Sequence, residues 1–242
     1  MKLASCGRFL PALCLVGSLL LSPIGEAAAA DKIFLSNQKL EEGNRLNLVI
    51  SEEAYRQAVQ CWTEAIELNP RNALAYEARG YYFHLPDVAK YAQAIGDYSH
   101  AIELNPGKGE NYYFRGSCYL SLHEDEAAEK DFRRAIELDP SMSAPYGDIA
   151  YIYAKQTEAD TAIEYANKAL ERDDRNSVAY YSRGLGYFTK GDYEKAMGDG
   201  EKALELGNAD AYMLIGNCYN MQGNTAQAEK YWKLADDPPA FG

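Results

Sequence analysis

Five times along this chain one phrase returns at a near-constant interval. Ala65-Ile66-Glu67-Leu68-Asn69-Pro70 is answered by Ala101-Ile102-Glu103-Leu104-Asn105-Pro106 and by Ala135-Ile136-Glu137-Leu138-Asp139-Pro140, then more loosely from Ala169 and from Ala203. The leading alanines stand 36, 34, 34 and 34 residues apart. A period of this length means one small unit repeated, so the chain is an array of stacked units and not a globule around a single centre.

The segment Gly109 to Met142 shows what the unit is. Tyr112, Arg115, Gly116 and Tyr119 recur at helical spacing and mark one face of a first helix. Leu122 to Asp125 reads as a turn, and a second helix is expected over about 126–138, with Ala128, Phe132, Ala135 and Ile136 on one stripe. Pro140 stops it, because proline disfavours helical geometry in the residue before it. Short side chains at Gly116, Ala128 and Ala135 let the two helices approach, and the rings of Tyr112, Tyr119 and Phe132 fill the flanks. Neither helix buries its apolar face alone, so each unit must lean on its neighbours.

This pattern, Tyr112-x-x-Arg115-Gly116-x-x-Tyr119 followed by Ala128, Phe132, Ala135 and Pro140, resembles the tetratricopeptide repeat. The same scheme is met by Tyr76, Gly80, Phe83, Ala94, Tyr98 and Ala101; by Tyr146, Ala150, Tyr153, Ala162 and Ala169; by Tyr180, Gly184, Tyr187, Ala196 and Ala203; and by Tyr212, Gly216, Tyr219, Ala228 and Trp232. The resemblance implies an all-α fold, a right-handed α-solenoid of five to six tandem helix-turn-helix units. The units are expected at about 36–72, 73–108, 109–142, 143–176, 177–208 and 209–242. In the first of them Ala58, Trp62, Ala65 and Pro70 give a good second helix, but Leu40 to Ile50 fits the first helix only with about three inserted residues. Two extra residues near Leu85-Pro86-Asp87 lengthen one turn. Gly191 and Gly223 recur between the two helices of their units, where a helix ends most easily in a left-handed conformation.

Residues 1–30 have the layout of a secretory signal peptide. Lys2 and Arg8 precede the apolar stretch Phe9–Leu21, Ser22-Pro23-Ile24-Gly25 is expected to break any helix, and Ala27–Ala30 offer small residues for cleavage after Ala30. The apolar stretch is shorter than the ~20 residues a transmembrane helix needs. Cys6 precedes that stretch and Cys14 lies inside it, neither placed as a lipid-acceptor cysteine would be. The remaining 31–242 are expected to form the array, with no stable membrane anchor once the leader is cut, and the expected location is a bacterial periplasm or beyond it by secretion.

The full chain carries a net charge of −12, and −13 once Lys2, Arg8 and Glu26 leave with the leader. Such a surface opposes binding to nucleic acid and to anionic membranes. Cys61, Cys118 and Cys218 are an odd set spread over separate units, so they are expected as packed free thiols.

Repeats make the sequence its own control. Arg79, Arg115 and Arg183 each precede the first-helix glycine, and the same units place Asp97, Asp131 and Asp199 three residues after a second-helix alanine. The units with Ile149 and Ile215 at the arginine position have Tyr165 and Tyr231 at the aspartate position. Structural ion pairs within a unit, Arg79–Asp97, Arg115–Asp131 and Arg183–Asp199, explain this better than ligand anchoring, because an arginine near an interior needs a partner.

Signs of catalysis are missing. His84, His100 and His123 have no metal-ligand spacing, the cysteines form no C-x-x-C pair, and Gly184-Leu185-Gly186 lacks the third glycine of a nucleotide loop. No cofactor, no metal and no enzymatic activity are expected. The resemblance implies instead that first helices line a concave wall. Its candidate partner-binding residues are Tyr81, Tyr113, Tyr151, Tyr181, Phe188, Met213 and Asn217, large contact surfaces that lose little freedom on binding. The same rings would also serve to pad neighbouring helices. No basic residues join Asn217 and Asn220 to make a clamp for a terminal carboxylate, so an extended or helical protein segment is the expected guest. The leading reading is an exported adaptor or scaffold. The alternatives are a self-associating component of an envelope assembly, dimerising through the terminal repeat, or an accessory subunit of an envelope enzyme complex.

Overall fold

The structure, a computed structural model, describes residues 23–48, 51–85 and 88–239. Among them twelve helices follow one another as six hairpins. These are α1 (Pro23–Leu46) with α2 (Glu52–Leu68), α3 (Ala73–His84) with α4 (Tyr91–Leu104), and α5 (Gly109–Ser121) with α6 (Asp125–Leu138). Then come α7 (Ala144–Lys155) with α8 (Ala159–Leu170), α9 (Ser177–Thr189) with α10 (Tyr193–Glu205), and α11 (Ala211–Met221) with α12 (Thr225–Asp236). Each helix packs on the next in sequence, which makes the molecule a solenoid of stacked pairs.

Local chemistry sets the hairpin lengths. Asn69, Asn105 and Asp139 end α2, α4 and α6 with ψ of 92°, 81° and 92°, the extended backbone that the following proline imposes. Between the helices of units two to six one residue turns left-handed: Ala89 (φ 46°), His123 (61°), Thr157 (62°), Gly191 (79°) and Gly223 (80°). The glycines expected there are thus two of five cases, and the other three hold the same geometry with a Cβ. Inside each hairpin the second-helix alanines, such as Ala94, Ala128 and Ala162, are fully buried. At Gly116 an added Cβ would come within 2.8 Å of the Phe132 ring, so that helix crossing requires glycine.

The first unit is complete, and its register is fixed by a polar latch. Ser36 Oγ donates to the Ala65 carbonyl (2.7 Å) and accepts from Asn72 Nδ2 (2.9 Å), while Asn72 Oδ1 accepts from Ala75 N at the start of α3. Ser143, Ala169 and Asn176 repeat this arrangement at 2.9 and 2.8 Å. The repeated latch aligns Ser36 with Ser143 and Gly43 with Ala150. The first helix of unit one therefore ends at Leu46, and the inserted residues fall between α1 and α2, not within Leu40–Ile50 as a helix. Positions 49–50 and 86–87, where two of the irregularities were expected, lie outside the described residues, as do the apolar stretch Phe9–Leu21, Cys6 and Cys14.

The expected helix break at Ser22-Pro23-Ile24-Gly25 is corrected from Pro23 onward, where the backbone is helical. Proline blocks the turn before it but suits the first position of a helix, whose N–H needs no partner within the helix. As a result α1 overhangs its unit by more than a dozen residues, leaving Ile33, Phe34 and Leu35 exposed at 49%, 62% and 45%. The far end is different. Ile66, Ile102, Ile136, Leu170 and Leu204 occupy one repeat position in five units and are buried or half-buried; in α12 that position is the exposed Asp236. Among the described residues no helix is long and apolar enough to cross a membrane.

Candidate protein-interaction groove

First helices touch one another along one side: α1 with α3, α3 with α5, α7 with α9, and α9 with α11. Second helices of neighbouring units make no comparable contact. The first helices therefore crowd on the inner side of a curve and form its wall. Between α5 and α7 side chains make the contact, with Tyr113 and Leu120 of α5 packed on the cluster that holds Ile149 and Ile152 of α7.

The three arginines are held by both helices around them. Arg79 Nε and Nη2 donate to Asp97 Oδ2 and Oδ1 at 2.9 and 2.7 Å, and Arg115 does the same to Asp131 at 2.7 and 2.8 Å. Arg183 makes the same fork with Asp199, at 2.8 Å twice. The aspartates are buried at 4%, 4% and 8% exposure. These charge-assisted hydrogen bonds outweigh burial and hold each guanidinium above its ordinary pKa. The third contact was not foreseen from the sequence: Nη1 reaches back to the preceding unit, to Thr63 Oγ1 (3.0 Å), Ser99 Oγ (3.0 Å) and Asn167 Oδ1 (2.8 Å). Thr63 and Ser99 donate their own protons to Val59 and Ile95 carbonyls, which leaves their lone pairs for the arginine. Comparing each arginine one unit upstream would have found this, since Arg133 and Glu201 stand there in the units that lack it. In those units rings replace charge: Tyr153 stacks on Tyr165 at 5.8 Å and Tyr219 on Tyr231 at 5.5 Å. The arginines thus face neighbouring helices and not the groove.

The candidate contact residues divide into two groups. Tyr81 and Met213 are open to solvent at 47% and 43%. Tyr113 lies against Phe132 and Ile149, Phe188 and Tyr181 against Ala196, Leu214 and Cys218, and Tyr151 meets Tyr181 at 6.1 Å. These four are half-buried and pad the wall while presenting an edge to it. Asn217 is engaged internally: its Oδ1 accepts from Trp232 Nε1 at 3.0 Å, as Asn44 does from Trp62 at 2.9 Å in the first unit. At the N-terminal half of the wall a hollow of about 350 Å³ is lined by Leu40, Asn44, Trp62, Tyr81, Tyr98 and Phe114. Cys61, Cys118 and Cys218 are buried free thiols, and burial pushes Cys118 up to about 12 and Cys218 up to about 11. Among the described residues no group of His, Cys, Asp or Glu is arranged to hold a metal ion.

Residues 110–142 and residues 148–210 match models of the tetratricopeptide repeat. No curated protein sequence matches. Among solved structures the chain is similar to MamA, at 25% identity over 70% of this chain and 96% of that one, with a TM-score of 0.59. It is also similar to PilW, described as a type IV pilus biogenesis factor, at 20% identity, 85% and 94% coverage and a TM-score of 0.67. A third likeness is to YrrB, a repeat protein described as having an unusual peptide-binding site, at 21% identity, 88% and 100% coverage and a TM-score of 0.55. Residues 110–142 and 148–210 are thus tetratricopeptide repeats by family model, and the described hairpins stack as an all-α solenoid of six such helix pairs.

Proposed function

We propose that this chain is a structural component of a multiprotein assembly in a bacterial cell envelope, exported by its N-terminal leader, where its inner wall holds a segment of a partner protein. The observation that carries this reading is the wall itself: rings from successive first helices line it, and Tyr81 and Met213 stand nearly half exposed on a curved surface that nothing among the described residues fills. The likeness to a pilus biogenesis factor and to a repeat protein with a peptide-binding site supports it. The acidic balance argues against nucleic acid as partner.

Photo-crosslinking in the native cell tests the groove. A benzophenone amino acid at Tyr81 or Met213 should give partner adducts, whereas one at the exposed Glu194 on α10 should not. Adducts from Glu194 alone, or from neither wall position, would overturn the reading. Export predicts that the protein recovered from the envelope fraction begins at Asp31.

A specific observation favours self-association as a second reading. The overhang of α1 exposes Ile33, Phe34 and Leu35, while Asp236 makes the opposite end polar. A homodimer is therefore better served by the N-terminal overhang than by the terminal repeat. Light scattering of the chain from Asp31 onward, with and without Phe34→Glu, tests it; a monomer at every concentration removes this reading.

A further inference from the structure

One inner-wall position changes character halfway along the array. It is filled by Ala78, Phe114 and Leu214 in units two, three and six, where it seals adjacent first helices. Phe114, for example, packs on Tyr81 at 5.8 Å and on Tyr98 at 5.7 Å. In units four and five the position holds Asp148 and Ser182, and Ser182 is fully buried with no partner for its Oγ among the described residues. Asp148 stands on α7 beside the Tyr113 phenol of α5.

Among the described residues its carboxyl group has no cation. The lysines of this region are committed elsewhere: Lys108 to Glu77 at 2.7 Å, Lys155 to Asp125 at 2.8 Å, and Lys190 to Asp160. Arg115 and Arg183 are bound to their aspartates. The Tyr113 phenol is the one neighbouring group that favours its charge, and Tyr151 follows one turn along the same helix face. A half-buried carboxylate without a counter-ion is costly unless a ligand supplies one. Among the described residues it belongs to no group of His, Cys, Asp or Glu that could hold a metal.

We infer that Asp148 is the seat for a basic side chain, arginine or lysine, carried by the protein segment that lies in the groove, with Tyr113 and Tyr151 flanking it. This rests on the groove reading above and gives the guest its chemistry. Burial pushes the Asp148 carboxyl up to about 7, and a cation beside it would favour its ionised form.

The test uses the full chain on an array of random nonapeptides, each printed with a central arginine and again with a central citrulline, which keeps the shape and removes the charge. Arginine peptides should bind at least about tenfold more tightly than their citrulline partners. Asp148→Asn should bring arginine binding down to the citrulline level, whereas Glu194→Gln on the outer surface should keep the preference. Circular dichroism checks that Asp148→Asn is folded. Equal binding of arginine and citrulline peptides, or a preference that survives Asp148→Asn, overturns the seat and leaves the groove reading standing. Binding of no peptide at all overturns both.

Discussion

The protein offers its own replacement for the Arg115–Asp131 pair, and exchanging one solution for the other is the sharpest test of what that pair does. Arg115→Ile alone leaves Asp131, 4% exposed, without the two hydrogen bonds at 2.7 and 2.8 Å that satisfy it. Breaking a buried pair from one side costs about 3–5 kcal/mol, because a charge is stranded. Asp131→Tyr alone strands a guanidinium about one-fifth exposed that still holds Ser99, so the loss should be smaller, about 2–3 kcal/mol. The double change builds the isoleucine–tyrosine pair that units four and six already use, and removes both charges together. Ser99 then keeps its bond to the Ile95 carbonyl, so no donor is left unmet. The double variant should lie within about 1–2 kcal/mol of the parent, a coupling of several kcal/mol against the sum of the singles. Urea unfolding followed by far-ultraviolet circular dichroism measures it, with an unchanged slope required, since arrays of repeats can lose two-state behaviour. Single losses that simply add would refute the reasoning.

Thr157 has φ 62°, a left-handed backbone for a β-branched residue, so Thr157→Gly should stabilise the chain by about 0.5–1 kcal/mol, the strain relieved exceeding the entropy glycine adds; thermal unfolding shows it, and destabilisation would contradict it. Asp148 has a folded pKa of about 7, above its ordinary value of 3.8, so its contribution is greatest below pH 4 and is lost as pH rises through 7. Stability should thus fall over that window by at most about 4 kcal/mol, and Asp148→Asn should remove that component of the pH profile; an unaltered profile in the variant would refute the assignment. The thiols of Cys61, Cys118 and Cys218 should resist alkylation in the folded chain and react on unfolding, because burial raises each of them. Peptide mapping after iodoacetamide treatment reads this, and rapid native labelling would contradict it.

The repeating hairpins were legible because period, small residues and prolines all point the same way, and each acts within about 34 residues of its neighbours. Contacts between units were harder to see. Thr63, Ser99 and Asn167 complete the arginine sites from the unit before, and a comparison confined to one unit misses them. Pro23 was misleading because proline acts in opposite senses on the residues before and after it. In the groove, ring positions could be read from the stripe, but the division into exposed Tyr81 and Met213 and padding Phe188 depends on how far adjacent helices stand apart. Asn217 illustrates the same limit: its partner, Trp232, lies on the next helix. Nothing in the residues alone says that Asp148 comes to lie half-buried beside the Tyr113 phenol, so it passes as an ordinary solvated acid until the wall is built.

The ties between units have a mechanical consequence. The arginine ties join unit one to two, two to three, and four to five, and the tight packing of Leu214 beneath Gly184 joins five to six. Between three and four the tie runs the other way, from Arg133 of α6 to the Tyr165 and Tyr153 hydroxyls, beside the buried cluster of Phe132, Ile149 and Ile152. A spring tied at every turn resists opening at any single joint, so the curvature offered to a guest is set by the whole array.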